Sequence, residues 1–206
     1  MVTILPLSYL PSVDQYCAIA QSSNVLFEIF ETFPKQTCRS RTVISTANGL
    51  LTLSIPVNKP LGNRSKTIDI TIDYTTPWNK IHWKAITAAY NKSPYFLYFR
   101  DDLERLFGSR YDLLVDFNLE LIQLLNKFMR ISTQFELTTE YFKEYHAILD
   151  RRLCSKDISV TYFNLKPYTQ VFCNRFPFQK NLSILDLLFN EGPMAERYLK
   201  SCKPTD

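Results

Sequence analysis

The chain has 206 residues, 46% hydrophobic and 14% aromatic, with a net charge of +4. That length suits one large domain with a sizeable core, read as residues 1–206, and so mild a charge argues against nucleic acid as partner. Gly49, Gly62, Gly108 and Gly192 are too scattered for a phosphate loop or a dinucleotide fingerprint, so no cofactor is expected. The five cysteines lack CxxC spacing and His82 and His146 lie far apart, which predicts free thiols, no metal centre and a cytoplasmic location. No signal peptide is legible at the start, and no apolar run has the length of a membrane span.

Residues 2–7 read as a buried first strand. Ser12 can cap a helix over 13–21, with Val13, Tyr16, Cys17 and Ala20 on one face. Residues 24–30 form a second strand in which Glu28 is the odd polar residue. A strand–helix–strand opening predicts a parallel pair with a crossover helix. In such sheets ligands bind beyond the carboxyl ends of the strands, here Ser8-Tyr9 and the run from Glu31 to Pro34. Residues 42–46 and 50–57 are two strands of an antiparallel hairpin in the same sheet. Asn48-Gly49 turns it, because both residues tolerate positive φ. After a loop over 58–66, residues 67–73 alternate Ile68, Ile70 and Ile72 with Asp69, Thr71 and Asp73, the pattern of a strand.

Thr76 can cap a helix that starts at Pro77 and stops before Ser93-Pro94. On its wheel Trp78, Ile81, Ala85, Ala88 and Ala89 share one face, and Lys80, Lys84, Thr87 and Asn91 oppose them. His82 falls on the apolar side, flanked by Trp83, Ile86 and Tyr90. Residues 94–107 are a short, broken helical stretch. Residues 111–131 are a long helix with Asn118 inside its apolar face. An extended link over 132–140, a helix over 141–152 and a strand over 158–162 follow, then helices over 182–190 and 193–200. The fold class is α/β: an N-terminal mixed β-sheet with its crossover helix, and a helical C-terminal half packed on it.

Lys35, Arg39 and Arg41 form a basic cluster after the second strand. Arginine forks match phosphate oxygens bidentately, so the cluster can dock a diphosphate; pairing with Asp69 and Asp73, or plain solvation, explains it too. His82 has the intrinsic pKa of a general base, yet a core histidine bonded to a carbonyl or to Asn118 would occupy the same place. Tyr9, Trp83 and Tyr90 can stack on a sugar or base, or fill the core. Asn118 must be hydrogen-bonded, within the fold or to ligand. Tyr168 and Gln170 alternate outward in PYTQVF and can line a cleft. Asp186, among leucines, reads as the partner of a helix N-terminus or a buried arginine.

The stretches WNKIHWKAITAAYNKSPYF, FPKQTCRSRTVISTANGLLTLSIPV and RFPFQKNLSILDLLFNEGP resemble the WbqC-like family of bacterial proteins, over nearly the whole chain. LPLSYLPSVDQY keeps Tyr9, Pro11 and Tyr16 of that family's motif after the first strand, without the His often found there. The family is associated with O-antigen and other surface-polysaccharide gene clusters, so the resemblance implies a pathway. One reading is an enzyme acting on a small-molecule substrate, a nucleotide-activated or amino sugar, by acyl or aminoacyl transfer. His82 would be the base, Arg39 and Arg41 the phosphate clamp. The other is a non-catalytic module that binds a sugar nucleotide or a partner enzyme, favoured by the sparse titratable chemistry.

Overall fold

The computed structural model describes residues 2–146, 148–153 and 161–205. Val2–Pro6 forms β1, Val13–Gln21 α1 and Asn24–Glu28 β2. Ser12 caps α1, its Oγ accepting the Gln15 N–H at 3.3 Å. β1 and β2 are parallel, from Val2 opposite Asn24 to Pro6 opposite Glu28. Arg41–Thr46 (β3) and Gly49–Ser54 (β4) pair antiparallel. The short strands Val57–Asn58 (β5) and Thr71–Ile72 (β6) also pair antiparallel. Three helices follow: α2, Trp78–Tyr90; α3, Phe96–Gly108; and α4, Leu114–Met129. Gln134–Leu137 (β7) and Leu149–Asp150 (β8) return to the first sheet. Phe163–Asn164 (β9), α5 (Ile184–Glu191), α6 (Ala195–Ser201) and Lys203–Pro204 (β10) close the chain, β10 antiparallel to β9.

The main sheet runs β7-β2-β1-β8, parallel throughout. Both of its inner strands are therefore mostly apolar and mostly buried, as a parallel sheet requires, with Thr3 and Glu28 the buried polar exceptions. On α5, Ile184 through Phe189 are all buried, the mark of a helix inside the core.

Several elements depart from the sequence reading for identifiable reasons. The hairpin stands as its own two-stranded sheet instead of joining the parallel one. Its turn residues are Ala47-Asn48, and of the expected Asn48-Gly49 pair Gly49 alone has positive φ, 106°. Residues 67–69 wind as a 3-10 turn because the Asp69 carboxylate accepts the Lys66 N–H at 3.1 Å, so the strand shrinks to β6. The described residues of 141–152 contain no helix. Sheet edges offer β7 and β8 backbone partners that outweigh the weak local amphipathy. Of 158–162, residues 158–160 lie outside the described set, and 161–162 are not strand.

α2 begins at Trp78 behind Pro77, with no side-chain cap from Thr76. Its packed residues are Trp78, His82, Ile86, Ala89 and Tyr90, while Ile81 is 55% exposed. The buried face is thus centred on His82, where aromatic rings from α4 and the β1–α1 turn gather. α3 is an unbroken helix. Cys38 is disulfide-bonded, which corrects the expectation of five free thiols; Cys17, Cys173 and Cys202 are free, and Cys154 lies outside the described residues. Sequence spacing does not reveal which cysteines approach in space. Among the described residues no helix is long and apolar enough to cross a membrane.

The end of α5 provides a sharp test of packing. Gly192 has φ 51°, and a Cβ there would lie 2.5 Å from the Tyr95 ring. Gly49 is also at positive φ, but a Cβ would meet nothing within 4 Å. Gly192→Ala is expected to cost roughly 2–4 kcal/mol, from left-handed strain plus overpacking. Gly49→Ala is expected to cost about 1–2 kcal/mol from strain alone. Urea unfolding of both variants checks this; equal losses would show that the Tyr95 ring simply moves aside.

Candidate functional site

A cavity of about 680 Å³ opens at the carboxyl end of β1. Three parts of the chain wall it. Pro6, Ser8 and Tyr9 leave β1 and lead through Ser12 into the first turn of α1. Thr37, Cys38 and Arg41 lead into β3, and Arg151, Tyr162, Asn181 and Ser183 come from beyond β8. Backbone bonds hold these parts together: Tyr9 N–H donates to Cys38 O at 3.0 Å, and Ile184 N–H to Pro11 O at 2.8 Å. The Thr42 hydroxyl donates to Leu10 O at 2.8 Å.

The backbone here is unusual. Four described non-glycine residues have positive φ, and three of them line this cavity: Leu10 (41°), Gln36 (53°) and Asn181 (54°). An asparagine tolerates the left-handed region; a leucine is strained in it. Such strain persists where the surroundings over-determine it and clusters at binding sites.

The N-terminus of α1 faces the cavity, but its amides are already used. Val13 N–H donates to Leu182 O at 2.9 Å, Asp14 N–H to Asn181 Oδ1 at 3.0 Å, and Gln15 N–H to Ser12 Oγ. An anion in the cavity must therefore be met by side chains. The cations available are Arg41 and Arg151. Arg41 Nε donates to Ser54 Oγ at 3.2 Å. The Arg151 guanidinium lies over the Tyr162 and Phe163 rings, 4.9 and 4.5 Å from their centroids. Neither has an ion-pair partner among the described residues.

Their neighbours in sequence behave differently. Arg39 is 2% exposed and pairs with Glu31, its Nε 2.6 Å from Oε1, while Nη1 donates to Thr37 Oγ1 at 2.6 Å. Burial raises the Glu31 carboxyl and lowers the Arg39 guanidinium, and each partner opposes the other's shift. Arg152 Nη1 lies 3.5 Å from the Glu28 carboxylate, which is fully buried. Glu28 also accepts the Phe30 N–H at 2.8 Å and the Thr138 hydroxyl at 3.0 Å. Lys35 is exposed and does not line the cavity. The basic cluster read from the sequence thus divides, with Arg41 alone on the cavity wall.

His82 is 5% exposed and does not line the cavity. Its Nδ1 lies 2.9 Å from the hydroxyl of Tyr9, a cavity residue whose ring packs against Trp78 and Phe117. Burial lowers the His82 pKa to about 4, against a weaker opposing bond from the Ser54 backbone, so the ring is neutral at pH 7. Trp83 stacks on Phe96 and Phe107. Asn118 donates to Arg39 O at 2.8 Å, fixing the start of β3 on α4. Tyr168 and Gln170 donate to Asp186 Oδ2 at 2.7 and 2.8 Å, and fully buried Tyr90 adjoins the same carboxylate. Burial raises the Asp186 carboxyl above its ordinary value, those donors opposing. Its partners are hydroxyl and amide groups where an arginine or helix end was expected.

The sequence reading missed Asp14 and Arg151. Asp14 looked like a first-turn acid, and Arg151-Arg152 fell inside the expected helix over 141–152. Asn181 carried a weak signal, as a residue type that tolerates positive φ.

The profile of the WbqC-like protein family matches residues 8–154 and 146–198. Every cavity-lining residue except Leu5 and Pro6 lies within that span. The chain is also similar to the uncharacterized protein Rv1507c of Mycobacterium tuberculosis, 26% identical over 228 residues, covering 98% of each chain. No solved structure matches it.

The buried neutral imidazole gives a pH prediction. The folded pKa of about 4 lies below the ordinary 6.5, so the unfolded chain binds more protons between those values. The contribution is present above pH 6.5 and lost as pH falls toward 4, by about 3 kcal/mol in all. His82→Gln removes it. Denaturation of both proteins at pH 7 and pH 4.5 should show the wild type losing about 2–3 kcal/mol more than the variant. Identical losses would mean that His82 titrates normally.

Proposed function

The chain belongs to the WbqC-like family, and from that premise we propose an enzyme of bacterial surface-polysaccharide biosynthesis, of the O-antigen type, whose substrate enters the cavity at the end of β1. The substrate is a nucleotide-activated or amino sugar, modified by acyl or aminoacyl transfer in the cytoplasm. The observation that carries this reading is the pair of guanidiniums, Arg41 and Arg151, on the cavity wall without ion-pair partners among the described residues. A diphosphate supplies the missing anions in bidentate geometry. The cavity's size lies within the range of small-molecule sites.

In this reading Arg39 is no part of the clamp; it compensates Glu31 and aims the strand that carries Arg41. His82 acts through Tyr9, holding the turn at the mouth of β1. A non-catalytic sugar-nucleotide-binding module of the same pathway is the second reading. It is favoured by the placement of His82, which Tyr9 separates from the cavity.

Calorimetry with uridine and deoxythymidine diphosphate hexoses tests the site. Arg41→Ala is expected to weaken binding by roughly tenfold to a hundredfold, the scale of one charge-assisted contact, with little change in melting. Arg39→Ala is expected instead to destabilise the fold by about 2–4 kcal/mol, because it takes the ion-pair partner from part-buried Glu31 and empties a buried arginine's place. Equal affinity in wild type and Arg41→Ala, or no binding to any of these hexoses, would overturn the reading.

A further inference from the structure

Asp14 lines the same cavity and is 6% exposed. Its Oδ1 accepts the Phe163 N–H at 2.9 Å, and the Tyr162 backbone also contributes. A carboxylate has about four acceptor sites, so two amides leave it half satisfied. No described lysine, arginine or histidine forms an ion pair with it. Arg151 is near enough to act on it through space, yet its guanidinium is held over the Tyr162 and Phe163 rings. Burial raises the Asp14 carboxyl, with the two backbone bonds and Arg151 opposing.

A buried carboxylate with no cation in contact is costly unless something completes it, and Arg151 offsets that cost only through space. As a first-turn acid and an acceptor for one amide, an asparagine would serve nearly as well. The cavity therefore presents two guanidiniums and one sheltered carboxylate, and the cation nearest that carboxylate, Arg151, acts on it through space without an ion-pair contact. We propose that Asp14 is the amine-recognising residue of the site, and that the ligand is an amino sugar nucleotide carrying a free ammonium group as well as its diphosphate. The diphosphate lies against Arg41 and Arg151, and the ammonium hydrogen-bonds to Asp14. This rests on the nucleotide-sugar reading of the cavity and narrows it: hydroxyl or N-acetyl groups in place of the amine leave the Asp14 charge with no cation in contact.

The test is a ligand series on the wild-type protein at pH 7. Uridine and deoxythymidine diphosphate hexoses with a free amine at C2, C3 or C4 are compared with their hydroxyl and N-acetyl counterparts by calorimetry. At least one amine isomer is expected to bind tenfold or more tighter than both counterparts. Asp14→Asn, which keeps an acceptor for the Phe163 amide, is expected to abolish that preference and to retain affinity for the hydroxyl sugar. Two results would overturn the amine assignment while leaving the diphosphate site standing: equal binding of all three classes in an Arg41-dependent way, or a preference that survives in Asp14→Asn. Failure of every nucleotide sugar to bind would bring down the cavity reading itself. Should Asp14→Asn fail to fold, the wild-type series alone still decides.

Discussion

The compensation of two acids at the carboxyl end of β2 governs the rest of the molecule. Glu28 is fully buried, and the Glu31 side chain is part-buried at 15% exposure. Taking such carboxyls out of water is costly, and a cation brought close offsets the cost. Arg39 answers Glu31, and Arg152, held chiefly by the Asp150 carboxylate at 2.5 Å, reaches Glu28 at 3.5 Å. These two arginines come from segments more than a hundred residues apart, and each draws its own segment to the same edge of the sheet. Arg152 also donates to the carbonyls of Phe142 and Lys143, so it gathers irregular chain beside Asp150 and Glu28. Arg41 and Arg151 arrive as neighbours of these anchors, and their guanidiniums are left to face the cavity.

The opposite wall depends on aromatic packing. Tyr9 follows β1, is fully buried, and meets His82, Trp78 and Phe117 at once. A neutral imidazole is the right partner there: it offers the phenol a hydrogen bond without bringing a charge into the core. With Tyr9 fixed, Leu10 is driven to positive φ, and the chain turns sharply enough for Ser12 to cap α1 beside the cavity. Residues 181 and 182 then consume the free amides of α1. A helix end that would otherwise attract anions is neutralised from within, and recognition passes to side chains.

Much of this was legible in the sequence, for physical reasons that differ by element. The β1–α1–β2 unit has local signals at every step: an apolar run, a serine cap, a second apolar run. The cavity beyond Ser8-Tyr9 lies where the topology of such units puts the carboxyl ends of the strands. Arg41 was legible as a cation, but its separation from Arg39 was not, because Glu31 decides it. β7 and β8 were illegible because a strand of two to four residues carries no period, and its partners lie over a hundred residues away. With β8 misread as helix, Arg151 had no place in the site. Asp14 was hidden by its own ordinariness, since an acid in the first turn of a helix needs no further explanation.

The places where local rules failed are also the places where the cavity lies. Leu10 and Gln36 hold backbone conformations that their side chains disfavour, Asn181 holds one that few residue types accept, and the segment around Arg151 abandons a plausible helix for an edge strand. A chain optimised for stability alone would have little reason to concentrate these departures in one region. Natural sequences depart from local consistency mainly where a site demands it. The departures come from three separate stretches of sequence and meet around one cavity, which makes coincidence a poor account of them. They also explain how unpaired charges survive on its walls: the turns that hold them are fixed by bonds to Cys38, Leu182 and Ile184 that do not involve the charged groups. The bonds that fix these turns are backbone bonds, and they leave the Arg41 and Arg151 guanidiniums out.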